Sequence, residues 1–467
     1  MRKTYFSHYL FIIVLLFSAS YGCASAKSTA QSQQIEVTTL AGDDSRGSLI
    51  AAIKSANTQR ADAANPVVIR FARNLTGEIV LSQDLPEIEN HISIIGNVNN
   101  GQPSITINGS VNPEINGGLM GGYSPGFRLL YVTSGRTATF ENLVLTKSNR
   151  SGLTNDGGTV TVKNCMFTYN LGIGKEHGSG GAIESQKGNL TVIGSYFFYN
   201  NGGMGGTDGQ IGYGGAGAIN LIDGNAVVIN SSFFENEGGF GGIGVGSVAG
   251  AGALVAFNSN VSVINCTVAN NFGEGSIVTG GAGGFVLIRG NMLVLQSTIV
   301  DNTGGAGLGG FDGLDFCSGG IHVLAGILTI GGNIIVGNVN GGDAETDIET
   351  QRSGEIRSLG NNLFGYANVE INGRGDTKGV AMRNVIATTS EGKANAQTVS
   401  GFLPTIALTA NSPAKNRGTA ITGISPVASN DPNARFFADA WNNYSSLVQA
   451  DQNGQKRAAN PSIGAVE

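Results

Sequence analysis

Charge, proline, tryptophan and cysteine are all scarce in this chain. Charged residues make up 13% of its 467 residues, about half the usual share. Basic residues number 27 against 33 acidic, for a net charge of −6, and removal of Arg2 and Lys3 with a leader would make the balance more acidic still. A nucleic-acid partner is therefore not expected, because nothing supplies a basic footprint. Ten prolines and glycines without a period of three exclude a collagen helix. Of four cysteines, three lie beyond residue 26. An odd number does not make a complete disulfide framework. Beyond the first 26 residues, no segment is long and apolar enough to cross a bilayer as a helix. No glycine run leads into a helix with Lys-Ser/Thr, so phosphate-loop and dinucleotide readings fail.

What is abundant is glycine, with 74 residues, about twice its usual share of roughly 7%. Low charge with much glycine can mean low-complexity disorder. An apolar content of 40% argues against that, since it suffices to bury a core. The length would allow two or three ordinary domains, but repeat architectures lengthen without adding domains.

The N-terminus reads as an export signal. Arg2 and Lys3 form a positive start, and Leu10 to Phe17 an apolar core too short to span a bilayer. Two processing readings stay open: cleavage after Ala24-Ser25-Ala26, or lipidation of Cys23 behind Gly22. Either places the chain outside the cytoplasm, secreted or at the outer-membrane surface of a bacterium. The membrane is reached only through a lipid on Cys23.

Self-comparison exposes a repeat. Six segments share a Gly-rich lead, an apolar strand, a polar break, a second apolar strand and then Asn. The final Asn residues are Asn170, Asn200, Asn236, Asn271, Asn302 and Asn338, at intervals of 30, 36, 35, 31 and 36 residues. Three places before each stands Phe167, Phe197, Phe233, Val268, Ile299 or Ile335, all bulky and apolar. Five places before stands Cys165, Ser195, Ser231, Cys266, Ser297 or Asn333, all small or polar. Like residues at fixed phase are what stacked coils produce, with equivalent side chains about 4.8 Å apart. The Asn row is expected in a tight turn, taking left-handed backbone and bonding to its neighbours in the stack. Within strands, alternation such as Leu190-Val192 and Val261-Val263 points one face inward. Residues 47–57, GSLIAAIKSAN, read instead as an amphipathic helix with Leu49, Ile50, Ile53 and Ala56 on one face. Such a helix would cover the open end of the stack.

The expected fold is therefore all-β: a single right-handed parallel β-helix, or solenoid, with a short N-terminal capping helix and an irregular C-terminal region. The expected divisions are 1–26 signal, 27–34 polar linker, 35–66 cap, 67–365 coils and 366–467 C-terminal region.

The motifs Gly180-Gly181-Ala182-Ile183 with Phe197 to Asn200, and the equivalents Phe167 to Asn170 and Phe233 to Asn236, resemble polymorphic outer-membrane-protein repeats. The opening IEVTTLAGDDSRGSLIAAIKSAN resembles the cap of secreted right-handed β-helices that carry a CSLREA motif, with Leu49-Ile50 where that family has Leu-Arg. Ser358 to Leu363, Ser412 to Gly418, Asp451 to Arg457 and Ile463 to Glu467 resemble the choice-of-anchor Q module. The resemblance implies a right-handed parallel β-helix and no particular activity.

Long Gly-rich loops follow the Asn row at 171–181, 201–215, 237–252, 272–282 and 303–320. Recurring at one phase, they should emerge on one side and form a face or groove. Its candidate binding residues are Lys175, Glu176, His177, Asp208, Glu274, Asp312 and Asp315. A polysaccharide lyase would use Asp312 and Asp315 on calcium with Lys175 or His177 as base. These groups lie about four coils apart, roughly 19 Å, too far to share one reacting centre. An inverting glycosidase would pair Asp208 with Glu274. The competing reading is solvated polar groups on mobile loops, and His322 reads as a structural histidine. No catalytic set converges, so the preferred function is a surface or secreted protein presenting an extended binding face, adhesin-like or glycan-binding. Its partners would be glycans or cell-surface components. A carbohydrate-active enzyme is the alternative. No cofactor is expected, and calcium is the only ion considered.

Overall fold

The computed structural model describes residues 33–110, 126–174, 177–206, 212–242, 247–276, 279–307, 315–367, 369–399, 401–419, 438 and 442–467. The segment read as an export signal, both expected processing positions and Cys23 lie outside the described residues.

The fold is all-β and solenoid-like. Its two main sheets contain 15 and 10 strands, and every pairing within them is parallel. Each repeat contributes three strand positions. The repeat ending at Asn200 has a leading strand Ile183–Gln186, a middle strand Asn189–Ile193 and a trailing strand Tyr196–Phe198. Leading and middle strands belong to the larger sheet, trailing strands to the smaller. In later repeats the leading and middle positions fuse into single strands, such as Leu254–Ile264 and Phe285–Leu295.

The segment expected as one second strand is thus two strands in different sheets. The cause is a left-handed residue at one phase, six places before each Asn: Asn164, Gly194, Asn230, Asn265, Gln296 and Gly332, with φ between 45° and 67°. It turns the chain out of the first sheet, a conformation for which Asn and Gly pay least. A second left-handed position directly precedes each ladder Asn, at Tyr169, Tyr199, Glu235, Asn270, Asp301 and Gly337. The ladder Asn residues themselves are not left-handed, contrary to the sequence expectation. The residue before each of them makes the turn, which leaves the Asn side chain pointing inward.

Register is strict along the trailing strands. Ile79, Ile107, Leu145, Phe167, Phe197, Phe233, Val268, Ile299, Ile335 and Phe364 form one column through ten layers, and all ten are fully buried. The three Phe rings stack, with centroids 5.2 Å and 4.7 Å apart.

The stack begins before residue 67. Gln34–Val37, at the junction of the expected linker and cap, pairs residue for residue with Val68–Phe71. The helix Leu49–Asn57 buries Leu49, Ile50, Ala52, Ile53 and Ala56, and the Ser48 hydroxyl accepts the Ala51 N–H at its start.

At the other end the C-terminal region lies on the outer face of the smaller sheet. Val385, Ile386, Ile406, Ala414 and Ile463 pack with the outward-facing Phe234, Ala269, Val300, Ile334, Val336 and Leu363. Arg457 fastens this layer through Nη2, which donates to Asn265 Oδ1 and to the carbonyls of Gly464 and Ala465. The Glu467 N–H donates to Asp451, tying the D-x-x-G-x-x-R segment to the last residue. No described helix is long and apolar enough to cross a membrane.

Candidate functional site

The Asn row is a continuous hydrogen-bonded ladder. Asn170 donates its backbone N–H and an Nδ2 hydrogen to Asn200 Oδ1, at 3.1 and 2.9 Å. Asn200 does the same to Asn236, then Asn236 to Asn271, Asn271 to Asn302 and Asn302 to Asn338. The other Nδ2 hydrogen goes to the carbonyl of the bulky residue in the preceding layer, as from Asn236 to Phe197 at 3.1 Å. Both amide donors and the oxygen are therefore used, as burial demands. A second ladder runs five places earlier: Cys165 N–H to Ser195 Oγ, Ser195 to Ser231, Ser231 to Cys266 Sγ, Cys266 to Ser297, Ser297 to Asn333 and Asn333 to Asn362. Burial pushes the Cys165 and Cys266 thiols up to about 12, so both are inert structural members.

After each ladder Asn the Gly-rich limbs leave and return, and their described parts are packed layers rather than mobile loops. Outgoing and returning limbs alternate along one hydrogen-bond line. Gly203 donates to the Ser179 carbonyl, Gly215 to Gly203, Gly239 to Gly215 and Gly250 to Gly239, all at 2.8 Å. The line continues through Glu274, Gly281, Gly305 and Cys317. Glycine is required by space. A Cβ on Gly202, Gly238, Gly273 or Gly304 would stand 2.1 Å from a carbonyl oxygen of the returning limb. These glycines are buried, so they do not line an open face. The limbs lie on the outward side of the leading strands, where Ala216, Val248, Ala251 and Ala282 pack with Val255, Val286, Ile288 and Leu324.

That outward column runs through Thr154, Glu184, Asn220, Val255, Val286, His322 and Glu349. Its middle is apolar and its ends are polar. Glu184 accepts hydrogen bonds from the Gly180 N–H at 2.7 Å and from Asn220 Nδ2 at 2.9 Å, clamping the first limb to the sheet. His322 is fully buried, with Nδ1 3.8 Å from Glu349 Oε2, in keeping with a structural role.

Of the candidate binding residues, Lys175, Glu176, Asp208 and Asp312 lie outside the described residues. Asp315 is described only in its backbone, where Asp315–Phe316 pairs antiparallel with Ala306–Gly307. His177 packs against Tyr213 and Phe257, with centroids 5.0 and 6.0 Å away. Glu274 stands beside Glu237 of the neighbouring layer. Burial, reinforced by the Glu274 charge, pushes the Glu237 carboxyl up, and Glu237 accepts from Asn201 Nδ2 at 2.9 Å. His177 and Glu274 are three layers apart, about 14 Å at ~4.8 Å per layer, and do not share a reacting centre. Among the described residues no group of three His, Cys, Asp or Glu gathers to hold a metal ion.

Sequence reasoning missed Glu237, Tyr213 and Phe257. Glu237 directly follows Asn236, a phase whose column of single-residue bridges reads Leu171, Asn201, Glu237, Phe272, Thr303 and Val339. Extending the repeat comparison by one position would have found it. No protein-family model and no curated protein matches the chain.

Proposed function

We propose that this chain is a single right-handed parallel β-helix, exported from a bacterium and retained at the surface or secreted, and that it presents an extended binding face to glycans. The resemblance to secreted β-helices with outer-membrane-protein repeats and a choice-of-anchor Q module supports the handedness and the address. A lipid on Cys23 would be its only membrane attachment.

The observation that carries the binding reading is a row of identical amides at the turn between leading and middle strands. Asn225 Nδ2 donates to Asn189 Oδ1, Asn260 to Asn225 and Asn291 to Asn260, at 3.0 to 3.1 Å. The row runs outward from buried Asn291 to exposed Asn189. Repeated weak donors and acceptors at layer spacing suit a repeating hydroxylated polymer, because shallow contacts add through effective concentration. The test is binding of the full chain to a panel of immobilised polysaccharides and their monosaccharides. The expected result is weak binding that strengthens with polymer length, and absence of binding across the panel would refute the reading.

A second reading, a glycosidase, draws on the neighbouring carboxylates Glu237 and Glu274, one of them pushed up as a general acid requires. New reducing ends from any polysaccharide, lost in Glu237→Gln and Glu274→Gln, would put this reading first.

A further inference from the structure

We infer that the rings of His177, Tyr213 and Phe257, bordered by Asp223 and Asn258, form a subsite for one neutral hexopyranose unit of a glycan. This inference rests on the glycan reading above and names where and what is held. Tyr213 sits at the centre, with ring centroids 5.0 Å from both His177 and Phe257. The planes are tilted by 33° to 43° to one another, so the three rings are splayed rather than stacked. Tyr213 and Phe257 rest their inner sides on the Ala216, Val255 and Ile288 cluster, while all three rings stay partly exposed.

A pyranose has a face of C–H groups and a rim of hydroxyls. The negative face of an aromatic ring attracts such C–H groups, and a few polar groups beside the rings then fix orientation. Those groups are present. Asp223 and Asn258 directly follow Ile222 and Phe257, both are exposed, and Asn258 Nδ2 donates to Asp223 Oδ1 at 2.7 Å. The left-handed backbone at both residues holds this turn. The Tyr213 N–H donates to His177 Nδ1 at 3.5 Å, so Nε2 is the ring nitrogen left to meet a sugar hydroxyl.

Two comparisons on the same molecule sharpen the choice. Tyr169 and Tyr199 stack with planes 6° apart and centroids at 5.4 Å, a parallel pair rather than a splayed cluster. The Asp223 carboxylate, on a chain of net charge −6, disfavours anionic sugars.

The test is calorimetric titration of the full chain with cellohexaose, mannohexaose, maltohexaose and hexagalacturonate. At least one neutral probe should bind, with hexagalacturonate at least about tenfold weaker. Tyr213→Ala and Phe257→Ala should each weaken binding about tenfold or more, and Asp223→Ala by a smaller factor, while Tyr199→Ala changes nothing. If a ring variant fails to fold, Asp223→Ala and Asn258→Ala, both at exposed positions, decide the question. Neutral binding that survives every substitution overturns this subsite and leaves the glycan reading standing. Preference for hexagalacturonate overturns the neutral assignment. Binding to none of the four, nor to any polysaccharide, overturns both.

Discussion

Asn338 donates its backbone N–H and an Nδ2 hydrogen to Oδ1 of Asp347, at 2.9 and 2.7 Å, and there the Asn ladder ends. An Asn passes a hydrogen bond on, because its Nδ2 donates to the next layer. An aspartate cannot. Its Oδ2 instead accepts the N–H groups of Gly365 and Tyr366, at 2.7 and 2.8 Å. The second ladder ends alike: Asn362 donates its N–H and Nδ2 to Asp376 Oδ1, and Asp376 Oδ2 accepts from Ser358 Oγ and the Gly373 N–H. Both ladders run in one direction and both stop on a carboxylate, which closes the stack without leaving an orphaned donor.

Exchanging the two chemistries should fail in both directions. Asp347→Asn turns an amide nitrogen, which has no lone pair to offer, toward the N–H groups of Gly365 and Tyr366. A loss of roughly 1–3 kcal/mol is expected. Asn236→Asp places an oxygen against the Phe197 carbonyl and Asn271 Oδ1 in a buried site, and should cost about 3 kcal/mol or more. Urea melts of both variants check this. An unchanged midpoint in either would mean the ladder polarity does not matter.

Asp347 should also give stability a pH dependence. Burial pushes its carboxyl up to about 7, against the pull of its N–H donors. In the unfolded chain it titrates near 3.8. Below about pH 4 it is protonated in both states and costs nothing. Between pH 4 and 7 the unfolded chain ionises first, so stability falls as pH rises, by at most a few kcal/mol. Above pH 7 the loss is complete. Melting temperatures from pH 4 to 8 should show this slope in the wild type and a shallower one in Asp347→Asn. Equal slopes would mean Asp347 does not titrate in this window.

Phe197→Ala removes the middle ring of the Phe167, Phe197 and Phe233 stack, in a fully buried column. The expected destabilisation is about 3–5 kcal/mol, read from denaturant melts, and a shift near zero would place the ring outside the core.

Much of the scaffold was legible before any coordinates, because like residues at fixed phase report stacking directly. Asn170 to Asn338, the bulky column three places earlier and the amphipathic helix within residues 47–57 are examples. The three-strand division was not legible, because the left-handed residue six places before each Asn is variously Asn, Gln or Gly and carries no single signature. The glycine limbs were misread for a related reason. Composition cannot separate a glycine that frees the backbone from one that admits a neighbouring carbonyl. The aromatic subsite was hidden because Tyr213 and Phe257 sit in different repeats and at different phases.

The glycine requirement itself is testable by position. Gly238→Ala puts a Cβ 2.1 Å from the Gly250 carbonyl oxygen, and the limb must shift. Gly174→Ala meets nothing closer than 3.4 Å. The first should destabilise by roughly 3 kcal/mol and the second by less than about 1 kcal/mol, in paired thermal melts. Equal effects would contradict close packing of the limbs.

The central claim is that the Gly-rich limbs form a rigid, hydrogen-bonded layer, on which the proposed binding face depends. Native-state hydrogen exchange at the amides of Gly203, Gly215, Gly239, Gly250 and Gly281 tests it most directly. Each donates to a carbonyl of the adjoining limb at 2.8 Å. The account predicts protection close to that of the core strand amides at Phe197 and Phe233, lost only with global unfolding. Exchange of these five amides at the rate of an open loop, while the core strands stay protected, would contradict it.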